Sequence, residues 1–221
     1  MPRFSSLNSA LIKAIFLICL ADGIVAVSYG SLALSYGFPF WVPLTLAITV
    51  LAGASEFMFV GIVASGGSPL AGAAAGLLVN ARHLPFGIAV RDLVGKRAAA
   101  LLGCHIMNDE SVAFGISQST HEQRKAAFWL CGLGIALFWP LGVIIGGFLG
   151  QIIPSQEVIG LDAVFPAVMF ALVLPMLKNR LTRNRSLAGA GIALASTPFV
   201  AAGLPVLLAL FGLIVKGKKN D

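Results

Sequence analysis

Apolar residues run so long in this chain, and are interrupted so briefly, that water is a poor solvent for its fold. The runs are Ala14–Tyr36, Phe40–Ala64, Pro69–Val90, Ala98–Ser117, Ala126–Gly150, Leu161–Leu177 and Leu187–Val215. Tyr36-Gly-Phe-Pro39 divides the first two, and Ser65-Gly-Gly-Ser-Pro69 the next two, with Ser68 placed to cap a helix and Pro69 to open it. A helical span needs roughly 20 apolar residues. Only 11% of the residues are charged, against about 25% in a soluble domain. The predicted fold is all-α: a polytopic transmembrane helical bundle of about seven spans, with broken or partly re-entrant helices in the first half, forming one integral membrane domain over 1–221. Within it, 1–120 carries charged intramembrane motifs and 121–221 is an apolar packing half.

The net charge of +6 does not point to nucleic acid. The basic residues lie in short clusters between apolar runs: Arg3 and Lys13, Arg91 with Lys96 and Arg97, Arg124 with Lys125, Lys178 to Arg185, and Lys216 to Lys219. Positive-inside topology produces that pattern, whereas a basic face on one element would suit nucleic acid. Lys13 and Ala14–Ala21 resemble the start of a signal peptide. Because the run continues past Asp22 to Leu34, it reads as a retained first span. Gln151–Asp162, polar and without a basic residue, is expected outside, and Lys178–Ser186 inside. The run Leu187–Val215 is either one tilted span or a short hairpin, and the basic tail favours the hairpin. Four plain spans from an inside start would leave Arg91–Arg97 outside, against the charge rule, unless Pro69–Val90 fails to cross as a simple helix. Gly142, Gly146 and Gly150 recur every four residues, a stripe that permits close helix approach. Cys19, Cys104 and Cys131 are scattered in apolar runs, a pattern of core packing rather than of a disulfide or zinc framework.

The ionisable residues at membrane depth are all in the first half: Asp22, Glu56, Arg82, His83, His105, Asp109 and Glu110. Each costs at least ~2.5–3.5 kcal/mol at the bilayer centre on insertion scales, and such residues usually line a solute or ion path. Glu56 lies in Leu51-Ala-Gly-Ala-Ser-Glu-Phe57, where Gly53 and Ser55 weaken the helix; it reads as a proton carrier or as an ion-pair partner of Arg82. Asp22 is a partner for Arg82 or a member of the pathway. In Leu78-Val-Asn-Ala-Arg-His-Leu-Pro-Phe-Gly87, Asn80 and His83 share a helix face, and Pro85 forces a break nearby. A break at that depth exposes amides and carbonyls beside protein or water, groups suited to a carboxylate or ammonium. His105 and Asp109, four apart, form a potential local ion pair, with Glu110 adjoining. No P-loop, nucleophile elbow, zincin or dinucleotide motif occurs, and no ligand spacing argues for a metal.

Gly53-Ala-Ser-Glu-Phe57, Asn80-Ala-Arg-His-Leu-Pro-Phe-Gly87 and Asn108-Asp-Glu110 resemble, in order and spacing, the AzlC family, the large subunit of branched-chain amino acid exporters of the azaleucine-resistance and YgaZ type. The resemblance covers most of the chain, with its specific motifs confined to 50–115. It implies a bacterial inner-membrane protein exporting leucine, isoleucine, valine or related residues such as methionine, driven by the proton gradient and working with a small AzlD-like membrane subunit. In two places the chain departs from the family pattern. Glutamine is usual in the family where this chain has Glu56, and a Leu-Tyr-Gly-like ending reads Pro85-Phe86-Gly87 here.

The expected function is therefore secondary transport of a zwitterionic amino acid. Ser55, Asn80, Arg82 and His83 are the expected substrate-binding residues, and Glu56, Asp109 and Glu110 the proton-coupling ones. Asp22, Gly53 and Pro85 are expected to shape the pathway. Lipid, protons and the small subunit are the partners; no cofactor, metal or nucleic acid is expected. The rivals are a membrane-embedded enzyme using His83, Asp109 and Glu110, and an assembly subunit with no pathway of its own.

Overall fold

A computed structural model describes residues 4–152, 170, 174, 176–200 and 204–215. The described residues are helical, with no strand among them. The helices are α1 (Ser9–Ser35), α2 (Trp41–Thr49), α3 (Gly53–Ala64), α4 (Pro69–Asn80), α5 (His83–Ala89), α6 (Ala98–His105), α7 (Asp109–Ile116), α8 (His121–Ile152), α9 (Arg180–Ser196) and α10 (Leu204–Leu208), with a 3₁₀ turn over Ala209–Ile214. Most of the predicted run Leu161–Leu177, the loop Gln151–Asp162 and the basic tail lie outside the described residues. The chain divides into two compact units, one of Met1–Glu56 with Asn80–Ile159, the other of Phe57–Val79 with Gly160–Asp221.

In the first unit, α1 and α8 are the two helices long and apolar enough to cross a membrane. They run parallel. Gln123 Nε2 donates to the Ser6 carbonyl near their starts, Cys19 lies against Cys131 and Gly134 further along, and Ser31 meets Gly150 near their far ends. The glycine stripe faces this contact: a Cβ at Gly142 would strike the Gly23 carbonyl, and one at Gly146 the Val27 carbonyl. The stripe thus serves packing within the chain, through the close backbone approach by which helices associate in lipid. The opposite faces are apolar and uncovered. Leu133, Leu137, Leu141 and Ile145 are exposed at a spacing of four on α8, as are Ile12, Phe16, Leu20 and Ile24 on α1. Only 22% of the apolar stretch of α1 and 44% of that of α8 is buried, so these are not the core helices of a water-soluble domain. Lipid is the solvent that accepts such faces.

Between α1 and α8 the helices are short because they are interrupted. The second predicted run splits into α2 and α3 around Leu51, whose backbone is left-handed at φ 51°, a conformation costing a non-glycine residue roughly 1–2 kcal/mol. The third splits at Ala81–Arg82, leaving Pro85 in the first turn of α5, where its missing N–H would be unpaired in any case.

The fourth run is not a span. Ile106, after α6, packs on Gly132 of α8, whereas Gly115 near the end of α7 packs on Phe128 and the Arg124 carbonyl. α7 therefore returns antiparallel along the first turns of α8, and α6–α7 is a re-entrant hairpin. Its tip reaches Gly132, about 16 Å along α8 from His121 at 1.5 Å per residue, so it turns back partway along α8. Asp92 contacts His121 at 3.2 Å and Arg124 at 3.6 Å, which puts the basic 91–97 segment at the same end as the start of α8. This removes the conflict that four plain spans create. A buried cluster of Val90, Leu93, Val94, Ile106, Val112, Phe128 and Trp129 anchors the arrangement, and the Trp129 indole donates to the Leu93 carbonyl at 2.9 Å.

In the second unit, Ser68 Oγ accepts from Ala71 N–H at 3.1 Å, so Ser68 caps α4 as its sequence predicts. A Cβ at Gly72 would press on Phe59. α9 and the Leu204–Ile214 segment fold back on each other, with Gly189 and Gly212 in backbone contact and Arg185 Nε donating to the Val215 carbonyl at 3.0 Å. Of the two expected forms of the last run, the hairpin is the one present.

Candidate functional site

The three interruptions of the first unit come together at one level. Each strips backbone groups of helical partners, and each recruits a polar side chain to replace them. At the α2–α3 break, Glu56 Oε1 accepts from the Ala52 N–H at 2.9 Å, and Ser55 Oγ donates to the Ala52 carbonyl at 2.8 Å. Glu56 Oε2 accepts from the Trp139 indole of α8 at 3.1 Å, and Glu56 is 1% exposed. Both oxygens of this carboxyl are thus held by N–H donors. Trp139 can lie there because Gly53 has no side chain: a Cβ would stand 2.5 Å from the ring. Tyr29 of α1 stacks on Trp139 with centroids 6.0 Å apart.

At the α4–α5 break, Asn80 Nδ2 donates to Ser55 Oγ at 3.0 Å, tying this break to the first. Asn80 and His83 do not share a helix face, because α4 ends at Asn80 and α5 begins at His83. They meet across the break instead, His83 Nδ1 lying 3.0 Å from the Asn80 carbonyl. A carbonyl only accepts, so Nδ1 carries a proton, and in the neutral ring Nε2 is an acceptor. Arg82 reaches the third break: its Nε lies 2.9 and 3.2 Å from the two Asp109 carboxylate oxygens, and its Nη2 2.9 Å from Oδ2. This is a bidentate, charge-assisted contact. Arg82 thus pairs with Asp109, whereas the Glu56 carboxyl is held by Ala52 and Trp139. The local His105–Asp109 pair does not form either, because the chain turns at Ile106–Asn108 and sends Asp109 toward Arg82. His105 is left exposed at the end of α6.

At that third break, Asn108 caps α7, accepting from Ser111 N–H at 2.8 Å, while Ser111 Oγ accepts from the Asn108 N–H at 2.9 Å, a reciprocal capping box. Asp109 and Glu110 occupy the first turn, where the helix dipole favours negative charge. Asp22 of α1 lies within electrostatic range of both Glu110 and Asp109, and Glu110 within range of Arg82. Asp22 and Glu110 have no ion pair of their own among the described residues. The contacts with Gly132 and Trp139 lie about 16 to 27 Å along α8 from His121, in the middle part of this 32-residue helix.

All the residues expected at the site therefore belong to one unit. Ser55, Asn80, Arg82, His83 and Asp109 are linked by the contacts above; Glu56 joins through the Ala52 peptide, and Asp22 and Glu110 through charge. Sequence reasoning missed Trp139, and it named Asn108 within a family motif without giving it a role. A tryptophan in mid-membrane needs an acceptor for its indole N–H, and that requirement was the available signal for pairing it with Glu56.

The profile of the AzlC family, described as "AzlC protein", matches residues 17–153, the stretch that runs from α1 through the three breaks to the end of α8. The chain belongs to the AzlC family. Among curated relatives, the "Branched-chain amino acid transport protein AzlC" of Bacillus subtilis is 25% identical over 203 residues, covering 88% of this chain and 79% of the relative. "Inner membrane protein YgaZ" of Escherichia coli is 26% identical over 188 residues, covering 79% and 76%. An "Uncharacterized membrane protein" of Haemophilus influenzae is 23% identical over 174 residues, covering 77% and 71%. No solved structure matches the chain at a significant level. The AzlC-type region coincides with the polar site, and the exposed apolar faces of α1 and α8 agree with the membrane location in the names of the Escherichia coli and Haemophilus influenzae relatives.

Proposed function

We propose that this AzlC-family protein is a multi-pass secondary transporter of the bacterial inner membrane. It exports branched-chain or related hydrophobic amino acids, is coupled to protons, and works with a small AzlD-like subunit. The observation that carries this reading is the meeting of three helix breaks around the Arg82–Asp109 pair. A zwitterion is the complement of an ion pair. Its carboxylate replaces Asp109 on the Arg82 fork, and its ammonium goes to Asp109 and Glu110. Ser55, Asn80 and His83 Nε2 supply neutral polar contacts, and apolar walls select the side chain. The basic 91–97 segment and the start of α8 face the cytoplasm by the positive-inside rule.

Proton coupling is assigned to Glu56, Asp109 and Glu110. Both oxygens of Glu56 face N–H donors. A proton on either oxygen weakens one of those bonds, so its arrival loosens either the Ala52 turn or the Trp139 anchor. Proton occupancy then acts on the break itself. Gly53 and Pro85 set the shape of the first two breaks, and Asp22 completes the acidic side of the site from α1.

Counterflow in proteoliposomes with a panel of labelled amino acids tests this, with and without a pH gradient and with and without the small subunit. Exchange of leucine, isoleucine, valine or methionine, accelerated by the gradient, is the expected result. Absence of counterflow for every amino acid, with the subunit present, rejects the reading.

A further inference from the structure

The second unit holds a groove that the site above does not use. It measures about 340 Å³ and runs between α9 and the Leu204–Ile214 segment, at the small end of the roughly 300–1,000 Å³ typical of small-molecule sites. One side is polar, with Arg185, Thr182 and Ser186; the other is apolar, with Val206, Leu210 and Leu213. Arg185 is fixed in place by donation from Nε to the Val215 carbonyl at 3.0 Å, an anchor that occupies the Nε donor and not the two terminal amino groups. Lys178, Arg180 and Arg183 lie within a few residues of it. From Ala163 to Asn220 the chain contains no aspartate or glutamate, while Lys178, Arg180, Arg183, Arg185, Lys216, Lys218 and Lys219 are all basic. This stretch holds no carboxylate, so a counter-charge for Arg185 comes from outside it.

We infer that this groove binds an anionic phospholipid. The phosphate sits on Arg185 with the Thr182 and Ser186 hydroxyls, and the start of an acyl chain lies along Val206, Leu210 and Leu213. Charge complementarity requires an anion, and the apolar wall beside the guanidinium requires that the anion carry a hydrocarbon part. A basic pocket between membrane helices that takes an anionic headgroup is a known form of lipid recognition. The inference stands apart from the transport reading, because its measurement is lipid retention and not solute movement.

The test uses the full-length protein in mild detergent, with bound lipid followed by native mass spectrometry during titration with phosphatidylglycerol or phosphatidylcholine. A third arm adds inorganic phosphate. Phosphatidylglycerol is expected to be retained at least about tenfold better than phosphatidylcholine, and inorganic phosphate is expected not to displace it. Arg185→Gln lowers that preference about tenfold, and Ala190→Phe, which fills the groove without changing a charge, lowers it similarly. Arg183→Gln, off the groove lining, leaves most of it. Equal retention of the two lipids overturns the proposal. Loss in Arg183→Gln as large as in Arg185→Gln overturns it in favour of diffuse surface attraction, and displacement by inorganic phosphate overturns it in favour of a simple anion site. If Arg185→Gln fails to fold, Ala190→Phe decides alone: unchanged preference in that variant rejects the groove.

Discussion

α1 and α8 differ from the three interrupted segments they enclose in one physical respect, the fate of the backbone hydrogen bonds. An unbroken helix satisfies its own amides and carbonyls, so in lipid it needs no polar side chain. α1 and α8 accordingly meet through glycine and expose leucine, isoleucine and phenylalanine. The α2–α3, α4–α5 and α6–α7 breaks leave groups unsatisfied, and Glu56, His83, Asn108 and Ser111 each take up one of them. Frame and site are therefore built by opposite chemistry. Many of the polar residues at mid-depth are needed for the fold before any solute arrives, and Asp22 and Glu110 are the charges left over from that structural work.

The contrast can be broken most severely on the frame. Gly146→Leu places a Cβ on the Val27 carbonyl and is expected to destabilise by roughly 3 kcal/mol or more, because backbone cannot yield as a side-chain tip can. Loss of monodisperse protein on size-exclusion chromatography measures it. Gly191→Ala, which meets nothing within 4 Å, is the silent control; equal loss in both shows that the α1–α8 seam has no special role.

On the site, Arg82→Ala is expected to weaken binding of carboxylate-bearing solutes by about tenfold, less than for a fully buried pair because the Arg82 and Asp109 side chains are 27% and 41% exposed. Asp109→Asn added to it removes the stranded carboxylate and recovers stability without recovering binding. Normal affinity in Arg82→Ala, measured by substrate-dependent thermal shift, rejects the clamp.

Glu56→Gln sharpens the comparison. Glutamine keeps one acceptor for the Ala52 and Trp139 donors, so the expected loss is about 1–3 kcal/mol with the fold intact. Without an exchangeable proton at this position, the dependence of transport rate on pH flattens. An unaltered rate-against-pH curve removes Glu56 from coupling. Least of all should Leu137→Ala matter: its side chain points to lipid at 58% exposure, and a shift beyond ~0.5 kcal/mol in thermal unfolding contradicts the lipid-facing assignment.

Much of the site was legible because each break carries a local signature. Pro85 and the polar run before it announced the second interruption, and Ser68-Pro69 announced the start of α4. The first interruption was less exact: Gly53 and Ser55 marked the region, but the chain breaks at Leu51, which has no residue-level signal for a left-handed backbone. The Arg82 pairing was not legible at all, since Asp22, Glu56 and Asp109 are equally good acids for it in one dimension.

The amino-acid order alone determined the solvent, the helical class, the family motifs and the concentration of charge in the first half, because each follows from local composition and the cost of placing polar groups in lipid. Tertiary structure alone decided that α6–α7 turns back instead of crossing, that Trp139 belongs to Glu56 and that Arg82 belongs to Asp109. The physical reason is that hydropathy measures how well a segment tolerates lipid, not how far it travels through it. A re-entrant hairpin and a span can share one composition, and only the contacts of Ile106 with Gly132 and of Gly115 with Phe128 tell them apart.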